Sequence, residues 1–113
     1  MIKVIAEWRA RPESRAELET LLSELAAGTT QQTGCVFSET MESVDDPSVQ
    51  LVLSTWLDVD LWRGWEAGTE YRNLVSRIEH LLASPQRESA YGFVWEACWW
   101  SAETGQYCIV PAE

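Results

Sequence analysis

The stretch TWLDVDLWRGWEAG, residues 55–68, gathers Trp56, Trp62 and Trp65 within ten positions, out of seven tryptophans in the chain. Indole rings at this density either fill a core or wall a place where a flat molecule stacks. Trp8, at the end of an apolar alternation, is a fourth ring able to join them. Carboxylates recur inside strand-like segments and share a face with apolar neighbours: Glu7 with Ile5, Glu39 with Phe37 and Met41, Glu96 with Val94 and Trp100. A carboxylate held among apolar groups binds its proton more tightly and suits general-base work. The alternative for each is an ion pair with Arg9 or a solvated position. Tyr71 can hold a substrate oxygen, and Arg72 can stabilise an enolate or phenolate. Their plainer roles are a core ring with a wet hydroxyl and a surface charge.

Those residues are placed by a short series of elements. IKVIAEWRA, residues 2–10, alternates as a strand, with Ile2, Val4, Ala6 and Trp8 on one face. Ser14-Arg15-Ala16-Glu17 reads as a capping box. Leu18, Leu21, Leu22 and Leu25 follow at helical spacing, and Gly28 is expected to end that helix. CVFSETMESV (35–44) and VQLVLSTWL (49–57) form a hairpin across the turn Asp45-Asp46-Pro47-Ser48. Asp58 caps a short helix to about Ala67, Gly68 breaks it, and Thr69 caps a longer one. That helix carries Tyr71, Leu74, Val75, Ile78, Leu81 and Leu82 on one stripe, and Pro85 stops it. SAYGFVWEACWW (89–100) reads as one long strand, turned by Thr104-Gly105 into QYCIV (106–110). The order β-α-β-β-α-β plus a short terminal strand predicts an α+β, ferredoxin-like split βαβ fold in one domain, residues 1–113, of which 101–113 are the terminal hairpin strand.

Composition narrows the function. The chain of 113 residues has a net charge of −10, with eight Lys plus Arg scattered along it, so no basic stripe exists for nucleic acid or an anionic membrane. No apolar run reaches the length of a membrane span. The N-terminus lacks an apolar signal core and a cleavage site, so a cytoplasmic protein is expected. Cys35, Cys98 and Cys108 form no CxxC pair, and His80 is the single histidine, lying off the apolar stripe of its helix. A two-residue turn at Thr104-Gly105 sets Cys108 opposite Ser101, not Cys98, which disfavours a hairpin disulfide. No metal and no cofactor is expected. The third strand carries Val52 and Trp56 opposite its leucines, and the last strand is apolar on both sides. A sheet wetted on one face has no need of this, so a homodimer through the sheet face is expected.

IKVIAEWRARPE, TGCVFSE, SVDDPSVQ and the strand-ending LSTW, in this order over about residues 2–84, resemble the antibiotic biosynthesis monooxygenase family of small dimeric α+β barrel proteins. The resemblance implies cofactor-independent oxygenation of a hydrophobic aromatic, phenolic or quinol molecule, in which the deprotonated substrate itself reduces oxygen. Trp8 and Trp65 would then wall the pocket, with Tyr71 and Arg72 as polar contacts and the base unassigned. Two alternatives use the same scaffold: a non-catalytic small-molecule-binding protein, or an isomerase or cyclase. Trp8 and Trp65 filling the cavity, with no pocket left, is a further reading. A haem-degrading subgroup is also similar around MIKVIAE and Trp65. It implies an Asn at position 8 and a His at position 75, where this chain has Trp8 and Val75. Valine cannot ligate iron, so haem degradation is not expected.

Overall fold

Strand β1, Ile2–Arg9, runs between two neighbours, β3 (Val49–Trp56) and β4 (Arg87–Gly92), and pairs antiparallel with both. Strand β2, Cys35–Glu42, closes the other edge against β3, giving the order β2-β3-β1-β4. The helices are α1 (Arg15–Thr30), α2 (Val59–Glu66) and α3 (Thr69–Glu79), with one 3-10 turn at Pro12–Ser14 ahead of α1. This is the α+β ferredoxin-like arrangement expected from the residue pattern. The structure is a computed structural model that describes residues 1–101 and 106–111, with side chains through residue 94.

The period-two alternation of β1 decides which face is dry. Val4, Ala6 and Trp8 are buried under the helices, and Val52 and Trp56 of β3 join them. Leu18, Leu21, Leu22 and Leu25 of α1 and Leu74, Val75 and Ile78 of α3 supply the opposing layer, as their spacing requires. The Asp45–Ser48 turn is held by Asp46, whose carboxylate accepts from Ser48 N at 3.1 Å and Ser48 Oγ at 2.6 Å and pairs with Arg9 at 2.7 Å. Asp58 caps α2, accepting from Asp60 N at 2.9 Å and Leu61 N at 3.0 Å.

Five local expectations are corrected. Ser14 precedes α1 but makes no side-chain cap, because it already belongs to the 3-10 turn with ψ near 3°. Gly28 does not end α1, which continues to Thr30. A Cβ there would meet the Glu70 carboxylate and stand 3.3 Å from Trp65 Cη2, so this glycine is a close-approach residue inside a helix. Gly68, not Thr69, is the N-cap of α3. The single long strand 89–100 is two strands. β4 begins at Arg87 and ends at Gly92, and β5 (Trp95–Ser101) instead pairs with β6 (Gln106–Pro111) in a separate two-stranded sheet. Its register sets Ser101 against Gln106, so Cys108 does not face Ser101.

The far face of the four-stranded sheet is apolar too. The pairing aligns Phe37, Thr55, Lys3 and Tyr91 in one row, Glu39, Leu53, Ile5 and Ser89 in the next, then Met41, Leu51, Glu7 and Arg87. Phe37 and Tyr91 remain 55% and 56% exposed, and Met41 46%. No helix among the described residues is long and apolar enough to cross a membrane.

Candidate functional site

Between the sheet and the helices lies a cavity whose floor is Val4, Ala6 and Trp8 of β1 with Val52, Ser54 and Trp56 of β3. Leu25 and Thr29 of α1 and Trp65 of α2 close the sides, and all of these are buried. The rim differs in kind. Trp62, Glu66, Tyr71 and Glu88 are its half-buried members, and three of them carry an oxygen acid. The water-sized space left inside is about 30 Å³, enough for a water or two and too little for a ring system. A flat ligand requires the rim to swing outward.

The indole nitrogens of the three innermost rings have different fates. Trp56 Nε1 donates to Ser54 Oγ at 2.9 Å. Trp65 Nε1 donates to Thr29 Oγ1 at 3.1 Å, and that hydroxyl donates to Leu25 O at 2.7 Å. Trp8 Nε1 is buried with no acceptor among the described residues, on a side chain only 1% exposed. Leaving such a donor unpaired costs about 1–3 kcal/mol. Trp65 also sets its ring edge-on to Tyr71, with centroids 5.8 Å apart and planes at 68°.

The acidic rim is the feature that sequence reasoning missed. Register pairs Glu88 with Ala6, so its side chain faces the cavity together with Glu66 from the end of α2. Glu66, Glu88 and Tyr71 come together on this rim. Burial first, then the hydrogen bond and charge of Glu66, push Glu88 up to about 8. Burial, followed by the charges of Glu88 and Glu66, pushes the Tyr71 hydroxyl far above its ordinary value. Burial thus favours the protonated forms of Glu88 and Tyr71.

Among the residues expected from sequence, Trp8, Trp65 and Tyr71 line this one cavity, as does Trp62. Arg72, expected as a polar contact, is exposed on α3 and does not line it. Glu7 and Glu39 belong to the far face of the sheet, and the Glu96 side chain lies outside the described residues. Trp56, fully buried on the helix side, walls the cavity and not the far face. His80 is exposed at the C-cap of α3, and Val75 is a buried core residue. Among the described residues the cavity thus offers haem iron neither an imidazole nor a thiolate, and the lining does not fit a haem. One signal for Glu88 did exist in the sequence, since it lies two residues before Ala90. It fell outside the strand drawn from residue 89, which hid its place in the alternation.

The sequence profile of the antibiotic biosynthesis monooxygenase family matches residues 1–77, about two thirds of the chain. The chain belongs to the antibiotic biosynthesis monooxygenase family. None of the curated proteins compared by sequence is a significant match. Solved structures show the same fold. A candidate antibiotic biosynthesis monooxygenase from Deinococcus radiodurans superposes with a TM-score of 0.78 at 22% identity, over 82% of this chain and 92% of that one. A protein from Mycobacterium tuberculosis gives 0.76 at 22%, over 81% and 93%. A variant of SnoaB, a cofactor-independent oxygenase from Streptomyces nogalater, gives 0.74 at 16%, over 81% and 91%. In this family member the matched region ends inside α3, so β4 with Glu88 lies beyond it.

Proposed function

We propose that this is a cytoplasmic, homodimeric, cofactor-independent monooxygenase acting on a hydrophobic aromatic, phenolic or quinol molecule. The observation that carries the reading is a cavity walled by the rings of Trp8, Trp56, Trp62 and Trp65, one of which, Trp8, has a buried N–H without an acceptor among the described residues. A deprotonated aromatic oxygen is the acceptor that such a donor best accommodates, because charge-assisted hydrogen bonds are about twice as strong as neutral ones. Trp65 and Trp62 supply faces for stacking, and the surrounding apolar lining keeps the substrate anion dry. Family membership and the likeness to a cofactor-independent oxygenase support the same chemistry.

Oxygen uptake tests it. Chelator-treated protein is mixed with anthrones and hydroquinones beside a Trp65→Ala control. Protein-dependent uptake that falls at least tenfold in the control is expected. Absence of uptake while these compounds still quench tryptophan fluorescence would replace the oxygenase with a binding protein. Turnover without oxygen consumption would replace it with an isomerase or cyclase.

The dimer is proposed to form through the far sheet face. Phe37, Met41 and Tyr91 are exposed there around Ile5, Leu51 and Leu53, and both signs of charge flank them in Lys3, Arg87, Glu7 and Glu39. A two-fold copy can match that pattern to itself. Light scattering is expected to give twice the chain mass for the wild type and the chain mass for Leu53→Lys. A monomeric wild type at micromolar concentration refutes it.

A further inference from the structure

Two carboxylates on different elements converge on one side of the cavity, and nothing basic accompanies them. Glu66 comes from the last residue of α2 and Glu88 from β4, and both line the rim of the cavity. Tyr71, from α3, is the remaining ionisable group of the lining, while β1 and β3 present Val4, Ala6, Trp8, Val52, Ser54 and Trp56. No Lys, Arg or His is among the lining residues. A pair that only stabilised the fold would bring a cation with it, because two neighbouring carboxyl groups repel once both ionise. Here the rim side of the cavity holds the proton acceptors, and the buried floor holds an indole donor without an acceptor.

We propose that Glu88 is the general base of this site and that Glu66 is a positioning residue which sets its proton affinity. The proposal rests on the reading that the cavity takes a flat aromatic. In an anthrone the step balances as follows. The ring C–H bond breaks, its proton bonds to the ionised Glu88 carboxylate, and its electron pair moves through the ring onto the carbonyl oxygen. The resulting enolate oxygen accepts from Trp8 Nε1. The pair also excludes carboxylated aromatics, whose charge would meet Glu66 without a counter-ion.

Burial and the neighbouring Glu66 both favour the neutral acid and push Glu88 up to about 8. Base activity therefore rises as pH increases through about 8. Replacing Glu66 takes away one of the causes but leaves burial, so the midpoint moves to lower pH.

The test is hydrogen–deuterium exchange at the acidic carbon of anthrone, in deuterated buffer without oxygen, read by mass spectrometry. Tryptophan quenching by anthrone is followed in parallel. Wild-type protein should accelerate exchange, with a rate that climbs through about 8. Glu88→Gln should still bind anthrone but lose about 100-fold or more of the acceleration. Glu66→Gln should keep it, with the profile shifted to lower pH. Exchange undiminished in Glu88→Gln, an unshifted profile in Glu66→Gln, or wild-type binding without exchange would each overturn the base assignment and leave the aromatic cavity intact. No quenching by anthrone in any form would instead remove the reading beneath it. Should Glu88→Gln fail to fold, the Glu66→Gln profile decides alone.

Discussion

Gly34→Ala is expected to lower the folding free energy by about 2–4 kcal/mol and the melting temperature by roughly 10 °C. Gly34 precedes β2 with φ at +93°, and its carbonyl accepts from Leu57 N at 2.8 Å. An L-residue with a Cβ in the left-handed region costs about 1–2 kcal/mol. The new methyl would also overlap Leu61 Cδ1 and stand 3.0 Å from Leu61 Cβ. Overpacking of this kind adds about 1–3 kcal/mol, and the stiffer unfolded chain returns up to about 1 kcal/mol. Leu61 lies on α2, the helix that carries Trp62, Trp65 and Glu66, so the same substitution displaces the cavity wall. Urea unfolding of Gly34→Ala, Leu61→Ala and the double variant separates the two causes. The double variant should lose the overlap with Leu61 Cδ1 but keep the 3.0 Å approach to the Cβ of residue 61 and the backbone cost. Wild-type stability in Gly34→Ala would mean that α2 is free to move away.

Trp8→Phe is expected to weaken binding of a phenolate or enolate ligand by about 10- to 100-fold while leaving stability within about 1 kcal/mol of wild type. The two effects have one origin. In the free protein the Trp8 N–H is buried without an acceptor, so deleting it removes a cost that offsets the volume lost. In the complex the same N–H is the donor to the ligand anion, and a hydrogen bond to a charged group is worth about 1.5–3 kcal/mol. Trp56→Phe is the matched comparison. There the N–H is already satisfied by Ser54 Oγ at 2.9 Å, and its loss leaves a buried hydroxyl without its donor. That variant should be the less stable of the two by about 1–2 kcal/mol and should not discriminate between ionised and neutral ligands. Denaturant titration together with tryptophan-quenching affinities at two pH values checks both. Equal losses of stability in the two variants would show that Trp8 serves packing alone.

The sequence made the dry face of β1 and the leucine stripe of α1 legible because burial on one side imposes a period that residue types reveal. Asp58 was readable as a cap for a comparable reason, since its short side chain reaches the free amides of the first turn. Gly28 was not readable. In sequence a helical glycine looks like a stop, and only the ring of Trp65 against its bare Cα explains why it is internal. Trp8, Trp65 and Tyr71 were identifiable from their types and positions, and the fold brings them to one cavity. Glu66 and Glu88 were not, because their meeting depends on the pairing of Ala6 with Glu88. Glu7, which the sequence offered as a candidate base, pairs with Leu51 and Arg87 and so turns to the other side of the sheet.

The closed cavity has a consequence for time as well as for space. With room for little more than water inside, capture of a ring system cannot be a single collision. It must wait for the rim to part, which separates Glu66, Glu88 and Tyr71 from one another. Above some concentration, adding more ligand would no longer hasten capture, since the clock would be the protein's own opening. The same latch would keep a captured anion from bulk solvent long enough to react, so slow admission and protected residence are two faces of one tight fit.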